Sequence, residues 1–127
     1  MNADGSRQAR LTFNVPIVSL GRPAWSPDGL KIAYTSAVQP AQGRPNRGIF
    51  AINADGSDPT PIASYAGDED YAVWSPDGSQ IAFAARLSGE GSEWAIWTMN
   101  ADGSGPKQLT DNTARDLNPV WSPTLSD

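Results

Sequence analysis

The residues best suited to chemistry are carboxylates and arginines in the second half of the chain. Asp68, Glu69 and Asp70 are consecutive and precede Tyr71. The charged residues that we expect beside them are Arg86, Glu90, Glu93, Arg115 and Asp116. Together these side chains predict a mixed-charge rim that binds a basic peptide, a sugar or a cation. An ordinary solvated loop surface has the same composition, so both interpretations stay open.

Paired carboxylates are also the machinery of glycoside hydrolysis. The run from Asp68 to Asp70, with Glu90 or Glu93, supplies the only clustered candidates for that reaction. The chain has no histidine and no cysteine, which excludes a Ser-His-Asp triad, thiolate chemistry, disulfides and Cys-ligated zinc within it. We therefore expect a protein without catalytic residues and without a cofactor.

A recurring pentapeptide offers oxygen atoms of the kind that bind calcium. Asn-Ala-Asp-Gly-Ser begins at residues 2, 53 and 100. A calcium loop of the EF-hand type needs further carboxylates at set offsets, and none follows the pentapeptide. Asp-Gly is also favoured in tight turns, because glycine adopts a positive φ without strain. The pentapeptide therefore predicts a turn, and we expect no metal site.

Charge and hydropathy limit the partners that the chain can have. Nine basic and fourteen acidic residues give a net charge of -5, which argues against binding to nucleic acid or to anionic lipid. No apolar run has the length of a membrane helix, and the first six residues are polar. The sequence thus predicts neither membrane insertion nor a signal peptide.

An internal repeat organises the chain. Trp-Ser-Pro begins at residues 25, 74 and 121, and both this word and the pentapeptide recur at intervals of 47 to 51 residues. A fixed period of this length is typical of stacked supersecondary units. Each period holds four short runs of strand-forming residues with turn residues between them, which predicts four strands, A to D.

The repeat fixes where these strands are expected. The first unit has runs near 22–26, 31–36, 48–53 and 59–64, and the second near 71–75, 80–85, 94–100 and 106–111. The middle runs are apolar on both faces, as sheets covered on both sides require. The predicted fold is all-β, a β-propeller fragment of two four-stranded antiparallel blades plus an extra strand at each end. As one partial propeller, it divides into an outer strand and loop at 1–20, blades at 21–69 and 70–116, and an inner strand at 117–127.

The two repeated words have structural interpretations within this fold. In Trp-Ser-Pro-Asp-Gly, at 25–29 and 74–78, proline presets the first turn corner and glycine takes the positive φ that follows. The tryptophans at 25, 74 and 121 occupy the same place in each unit. This regularity favours packing in the core or between blades over a stacking platform for sugars or bases.

Loop variation predicts which face of the propeller recognises a partner. The A–B and C–D turns share one face, and the D–A and B–C loops share the other. Only the D–A and B–C loops are long and differ between repeats, which is typical of recognition segments. These loops are predicted at 13–22, 37–47, 64–71, 87–93 and 111–118. They contain most of the mixed-charge rim, and also Arg44 and Arg47, which are suited to pairing with an anionic ligand.

The succession Pro-x-Trp-Ser-Pro-Asp-Gly, then Ile-Ala-Tyr or Ile-Ala-Phe, then Asn-Ala-Asp-Gly-Ser resembles the TolB-type WD40-like (PD40) β-propeller repeat. The resemblance covers nearly the whole chain. It implies a closed ring of about six blades. It also implies a non-enzymatic scaffold for protein or peptide binding, located in the periplasm or secreted, as TolB binds outer-membrane lipoproteins and colicin-type ligands. Similar repeats precede prolyl-oligopeptidase-type hydrolase domains, which is the alternative context.

Two complete blades are fewer than a closed propeller contains. We therefore expect the chain to be either part of a longer propeller or a homo-oligomer, in which three copies would supply six blades. The spare strands at the two ends do not combine into a full blade, because strands B and C would be missing. A purely structural fragment that assembles without any ligand is a further alternative.

Overall fold

The computed structural model describes residues 22–38, 46–63, 67–87, 93–110 and 119–122. Within these ranges eight strands form two four-stranded antiparallel sheets, ordered β1-β2-β3-β4 and β5-β6-β7-β8. The strands are β1 Ala24–Trp25, β2 Lys31–Val38, β3 Asn46–Asn53, β4 Thr60–Ala63, β5 Gly67–Trp74, β6 Gln80–Leu87, β7 Ala95–Asn100 and β8 Lys107–Gln108. The predicted all-β fold with two antiparallel four-stranded blades is confirmed. The described residues include no helix with the length and apolar character needed to cross a bilayer.

The turn between strands A and B has the predicted geometry in both blades. In the first blade the Gly29 amide donates to the Ser26 carbonyl at 2.9 Å, and Gly29 has a φ of 73°. In the second blade Gly78 donates to Ser75 at 2.9 Å with a φ of 76°. Only glycine adopts this backbone conformation without strain, so the glycine closes the turn and fixes the register of the hairpin.

The pentapeptide forms the turn between strands C and D. The Gly56 amide donates to the Asn53 carbonyl at 2.8 Å, and the corresponding bond in the second blade, from Gly103 to Asn100, has the same length. The Ala54 amide also donates to the Leu30 carbonyl at 2.9 Å. This bond joins the C–D turn to the A–B turn, so both turns lie on one face of the blade, as the sequence predicts.

The buried side chains lie between the two blades. The core cluster combines Ala33, Ile49 and Ala63 of the first blade with Ala72, Ile81, Phe83, Ala85 and Met99 of the second. Successive strand residues point to opposite faces, so Ile81, Phe83 and Ala85 lie on the face of β6 that covers the first blade. Residues 81 to 85 are all buried, which indicates that this central strand is covered on both faces.

Tryptophan side chains form hydrogen bonds with the backbone of the preceding blade. The indole N–H of Trp74 donates to the carbonyl of Ala24 in the first blade at 3.0 Å. In the same way, the indole N–H of Trp121 donates to the carbonyl of Val73 at 3.1 Å. The predicted packing role between blades is therefore confirmed for Trp74, and Trp121 makes the equivalent hydrogen bond to the second blade.

The structure differs from the sequence prediction at the strand ends. β5 begins at Gly67, so residues 67–71 lie in a strand and not in the loop predicted at 64–71, and the predicted blade boundary at 69/70 lies inside β5. β2 and β3 likewise extend into the loop predicted at 37–47. The predicted strand near 1–20 lies outside the described residues. Of 117–127, only 119–122 are described, and they form no paired strand.

The shared core predicts unequal effects for two aromatic residues at the same repeat position. Phe83 is fully buried against the first blade, whereas its counterpart Tyr34 is half-buried and stacks on Phe50 with ring centroids 5.8 Å apart. We expect Phe83→Ala to lower the free energy of unfolding by about 3–5 kcal/mol. Tyr34→Ala is the matched control, with an expected loss of about 1–2 kcal/mol. Urea denaturation followed by circular dichroism measures both, and equal losses would contradict a core between the blades.

Candidate functional site

The acidic run at the start of β5 connects the two blades. The Asp70 carboxylate is 3 % exposed and accepts hydrogen bonds from the Thr35 hydroxyl at 2.8 Å and the Arg47 guanidinium at 2.9 Å. Thr35 and Arg47 belong to β2 and β3 of the first blade. Arg47, predicted as a candidate for an anionic ligand, therefore has its partner within the chain. A buried carboxylate requires such a pairing, because desolvation of an unpaired charge is costly.

The two carboxylate oxygens of Asp68 contact different blades. Its Oδ1 accepts the backbone N–H of Arg47 at 3.0 Å, and its Oδ2 pairs with the Arg86 guanidinium at 3.0 Å. Arg86 also lies over the ring of Trp94, with 5.6 Å from its guanidinium carbon to the ring centroid. The guanidinium is therefore held from two sides, by a carboxylate and by an aromatic face.

Tyr71 completes this arrangement. Its ring meets Trp94 edge-on with centroids 6.3 Å apart. Tyr71 has a φ of 59°, and the pairing of β5 with β6 shifts between Asp70 and Val73. A positive φ in a tyrosine is a strained conformation, and a β-bulge of this kind redirects the side chain that carries it. The bulge aims the Tyr71 ring at Trp94.

The structure brings together some of the predicted site residues and separates others. Asp68 and Arg86 pair at the β5 and β6 ends opposite the A–B turn, and Tyr71 follows in the bulge of β5. Exposed Glu93 immediately precedes Trp94. Glu69 and Asp70 are buried, so they do not belong to a solvent-facing rim. The predicted members outside the described residues are Arg44, Glu90, Arg115 and Asp116. We use the name rim below for Asp68, Tyr71, Arg86 and Glu93, which lie around the buried Trp94.

Two members of these contacts were missed by sequence reasoning. Trp94 lies outside the repeated words and has no counterpart in the Trp-Ser-Pro series. Thr35 is a single hydroxyl in an apolar strand, and its bond to Asp70 spans 35 residues of sequence. Trp94 directly follows the charged loop predicted at 87–93, and this position is the sequence signal that could have identified it. No local signal marks Thr35.

A second concave surface lies at the opposite end of the blades. A cleft of about 510 Å³ separates the turns of the two blades, and its lining includes Asp28, Asp77 and Asp102. The Oδ1 atom of each carboxylate is hydrogen-bonded within its own turn. In the part of the chain that the structure describes, no three carboxylates form a group able to hold a metal ion. The aspartates of this cleft therefore act in turn formation.

The comparisons with known proteins agree with this architecture. The family model of PD40, the TolB beta propeller domain, matches residues 1–126. The chain belongs to the TolB β-propeller family. Within this family, it is 40% identical over 89 residues to the Tol-Pal system protein TolB of Alcanivorax borkumensis, which covers 69% of this chain and 19% of that protein.

Solved structures of TolB proteins show the same fold. A protein described as a TolB from Agrobacterium tumefaciens has a TM-score of 0.69 at 29% identity, over 89% of this chain and 37% of its own. TolB of Acinetobacter baumannii has a TM-score of 0.66 at 25% identity, over 90% of this chain and 26% of its own. An oligogalacturonate lyase in complex with manganese shares only the fold, with a TM-score of 0.53 at 24% identity, over 72% of this chain and 24% of its own. The chain thus spans well under half the length of these TolB-type relatives.

The Asp70 contacts predict a measurable coupling between the blades. We expect Asp70→Ala to lower the free energy of unfolding by about 3 kcal/mol, because it leaves a buried hydroxyl and a guanidinium unpaired. Thr35→Val removes only one hydrogen bond and should cost about 1 kcal/mol. A double-mutant cycle of Asp70→Ala with Arg47→Met, read by urea denaturation, isolates the ion pair. A coupling energy close to zero would show that the pair does not join the blades.

The Asp77 turn predicts a loss of stability in acid. Hydrogen bonds from the Ser75 hydroxyl, and from the backbone N–H and hydroxyl of Ser79, lower the pKa of Asp77 from 3.8 to about 2. A carboxyl whose folded pKa is depressed stabilises the fold above its unfolded pKa and loses that contribution as pH falls through the folded value. The melting temperature should therefore fall between pH 4 and pH 2, and fall less in Asp77→Asn. Identical pH profiles for both proteins, measured by thermal circular dichroism, would contradict this.

Proposed function

We propose that this chain is a non-enzymatic propeller module that binds a protein or peptide at the rim. By the same proposal it acts in the periplasm with a component of a Tol-Pal-type system, since the Alcanivorax borkumensis relative is a Tol-Pal system protein. Additional blades or copies of the chain would complete the ring around it. The family assignment by itself establishes the fold. The binding site, the compartment and the partner belong to this proposal.

The observation that carries the proposal is the state of Arg86. Its side chain is 44% exposed, yet it is held at 3.0 Å from the Asp68 carboxylate and stacked over Trp94. An immobilised side chain loses little conformational entropy when a partner binds. Arginine, tyrosine and tryptophan are also the residues that most often dominate binding energy at protein interfaces. The rim presents an arginine and a tyrosine, and both pack on the buried ring of Trp94.

The charge of the rim favours a peptide as its ligand over a simple anion or cation. Asp68 and Glu93 add negative charge next to the guanidinium, so a polyanion would be repelled by the same surface that attracts it. Among the described residues, the Arg86 guanidinium donates to Asp68, and its fork carries further N–H donors that suit carbonyl oxygens. Tyr71 offers a half-buried ring. An extended polar segment of a protein satisfies both kinds of group.

Catalysis has less support from the same geometry. Asp68 and Asp70 flank the buried Glu69, and they pair with arginines at 3.0 and 2.9 Å, respectively. Glycoside hydrolysis needs two carboxylates that face the substrate, whereas Asp70 is buried and held by Thr35 and Arg47. The relatives reported above give no support for a peptidase-associated propeller.

Binding can be tested with the Pal protein of Alcanivorax borkumensis as the probe. Isothermal titration calorimetry of the 127-residue chain should detect an association. We expect Arg86→Ala to weaken it at least about tenfold, equivalent to about 1.4 kcal/mol. Arg86→Lys should restore it only in part, because an ammonium keeps the charge and loses the planar fork.

The control is Lys107→Ala, which removes an exposed cation from β8 on the outer edge of the same blade. Equal weakening by Lys107→Ala and Arg86→Ala would indicate general electrostatic attraction and overturn the assignment to the rim. Unchanged affinity in Arg86→Ala would place the binding surface elsewhere on the propeller. Absence of any association would remove Pal as the partner.

A further inference from the structure

The buried Asp70 carboxylate also holds the main chain of its own strand. Its Oδ1 atom accepts the backbone N–H of Tyr71 at 2.8 Å, in addition to the Thr35 hydroxyl at 2.8 Å. Its Oδ2 atom accepts the Arg47 guanidinium at 2.9 Å. Because two donors from the first blade orient the carboxylate, the oxygen that receives the Tyr71 N–H has a fixed position.

The Tyr71 amide lies in the bulge of β5. The register of β5 against β6 shifts between Asp70 and Val73, so Tyr71 and Ala72 together oppose one residue of β6. An extra residue of this kind interrupts the ladder, and its backbone groups need other partners. Tyr71 has a φ of 59°, a strained conformation that persists only where its surroundings hold it. The bond to Asp70 Oδ1 is a contact that does so.

The conformation of Tyr71 determines what lies beside Arg86. The half-buried Tyr71 ring meets Trp94 edge-on, with centroids 6.3 Å apart. The Arg86 guanidinium carbon lies 5.6 Å from the centroid of the same Trp94 ring. Since the direction of a side chain follows its backbone dihedrals, loss of the positive φ would move the Tyr71 ring away from Trp94. The support under Arg86 would change with it.

The repeat itself does not require this carboxylate. Four residues before each Trp-Ser-Pro the chain has Gly21, Asp70 and Leu117, so an acid occurs there only in the second unit. The first-blade residue Thr35 likewise corresponds to Ala84 in the second unit. The turns and strand pairing that the units share are therefore not what Asp70 serves.

We propose that Asp70 is a positioning residue for the rim. Its Oδ1 atom holds Tyr71 in the bulge, so that the Tyr71 ring packs on Trp94. Trp94 in turn supports the Arg86 guanidinium, the group that carries the proposed recognition. The first blade thereby sets the geometry of a binding surface on the second. The effect on binding rests on the function proposed above, whereas the effect on the geometry of the rim does not.

Two variants that differ in one acceptor atom test the proposal. Both carry Arg47→Met, so that neither leaves an unpaired guanidinium between the blades. In this background Asp70→Asn keeps an oxygen for the Tyr71 N–H, whereas Asp70→Ala removes it. The NOE between the amide and α protons of Tyr71, measured on the full chain, reports the positive φ, which brings these protons close together. We expect a strong NOE in the wild type and in Asp70→Asn, and a weak one in Asp70→Ala.

Two further measurements follow the effect to the rim. The ring current of Trp94 shifts the Nε–H resonance of Arg86, and Asp70→Ala should return this resonance to the position of a solvated arginine. Isothermal titration calorimetry with the Pal protein of Alcanivorax borkumensis should show affinity weakened at least about tenfold in Asp70→Ala. Asp70→Asn should retain the shifted resonance and bind Pal within about threefold of the wild type.

The possible outcomes separate the positioning role from the proposed function. A strong Tyr71 NOE in Asp70→Ala, or an equally weak one in both variants, would overturn the role of Oδ1. A lost NOE with an unchanged Arg86 resonance would show that Tyr71 does not position the rim, and would overturn it as well. Wild-type Pal affinity in a variant whose two NMR signals have both changed would count against the rim as the Pal site. That result, or no association of Pal with the wild type, is a failure of the proposed function, and the NMR signals still decide the positioning.

Asp55→Ala controls for the general loss of a hydrogen-bonded carboxylate. Asp55 Oδ1 accepts the Ser57 N–H at 2.9 Å in the C–D turn of the first blade. This variant should change neither NMR signal, and a weakened Tyr71 NOE in it would attribute the effect to lower stability and overturn the proposal. Circular dichroism establishes that each variant is folded. Thr35→Val is a milder second variant that removes one donor to Asp70 Oδ1, and we expect an NOE of intermediate strength.

Discussion

A four-stranded sheet buries an apolar face only when another layer covers it, and in this chain each blade covers the other. The core cluster draws Ile49 from the first blade and Phe83 from the second, and both are fully buried. The hydrogen bond from the Trp74 indole N–H to the Ala24 carbonyl also connects the two sheets. Polar groups brought into this interface must then find partners in the opposite blade. Thr35, Arg47 and Asp70 do so.

The repeat explains how much of this architecture follows from the sequence. Proline and glycine at fixed turn positions set the hairpins, and strand-forming runs between them set the strand order. These are local effects, so the turns at Gly29 and Gly56 and the two antiparallel sheets are predicted from short segments. The role of the tryptophans between blades also follows, because identical positions in stacked units have identical neighbours.

The acidic run shows where local reasoning fails. Three consecutive carboxylates favour a solvated loop, since charged side chains seldom enter a core. In the structure Asp70 lies in β5 because Arg47 and Thr35, distant in sequence, supply its hydrogen bonds. The composition of residues 68–70 contains no information about these partners. For the same reason the sequence placed the rim residues near one another but included Glu69 and Asp70, which are buried.

The Asp68 carboxylate belongs both to the rim and to the interface between the blades. One of its oxygens accepts the Arg47 backbone N–H of the first blade, and the other holds the Arg86 guanidinium of the second. Because a single carboxylate makes both contacts, a shift of one blade against the other moves the anchor of Arg86. The geometry of the rim is therefore set by the packing of two blades and not by either blade alone. A surface of this kind exists only in the stacked state, so the binding proposed for the rim depends on the integrity of the propeller.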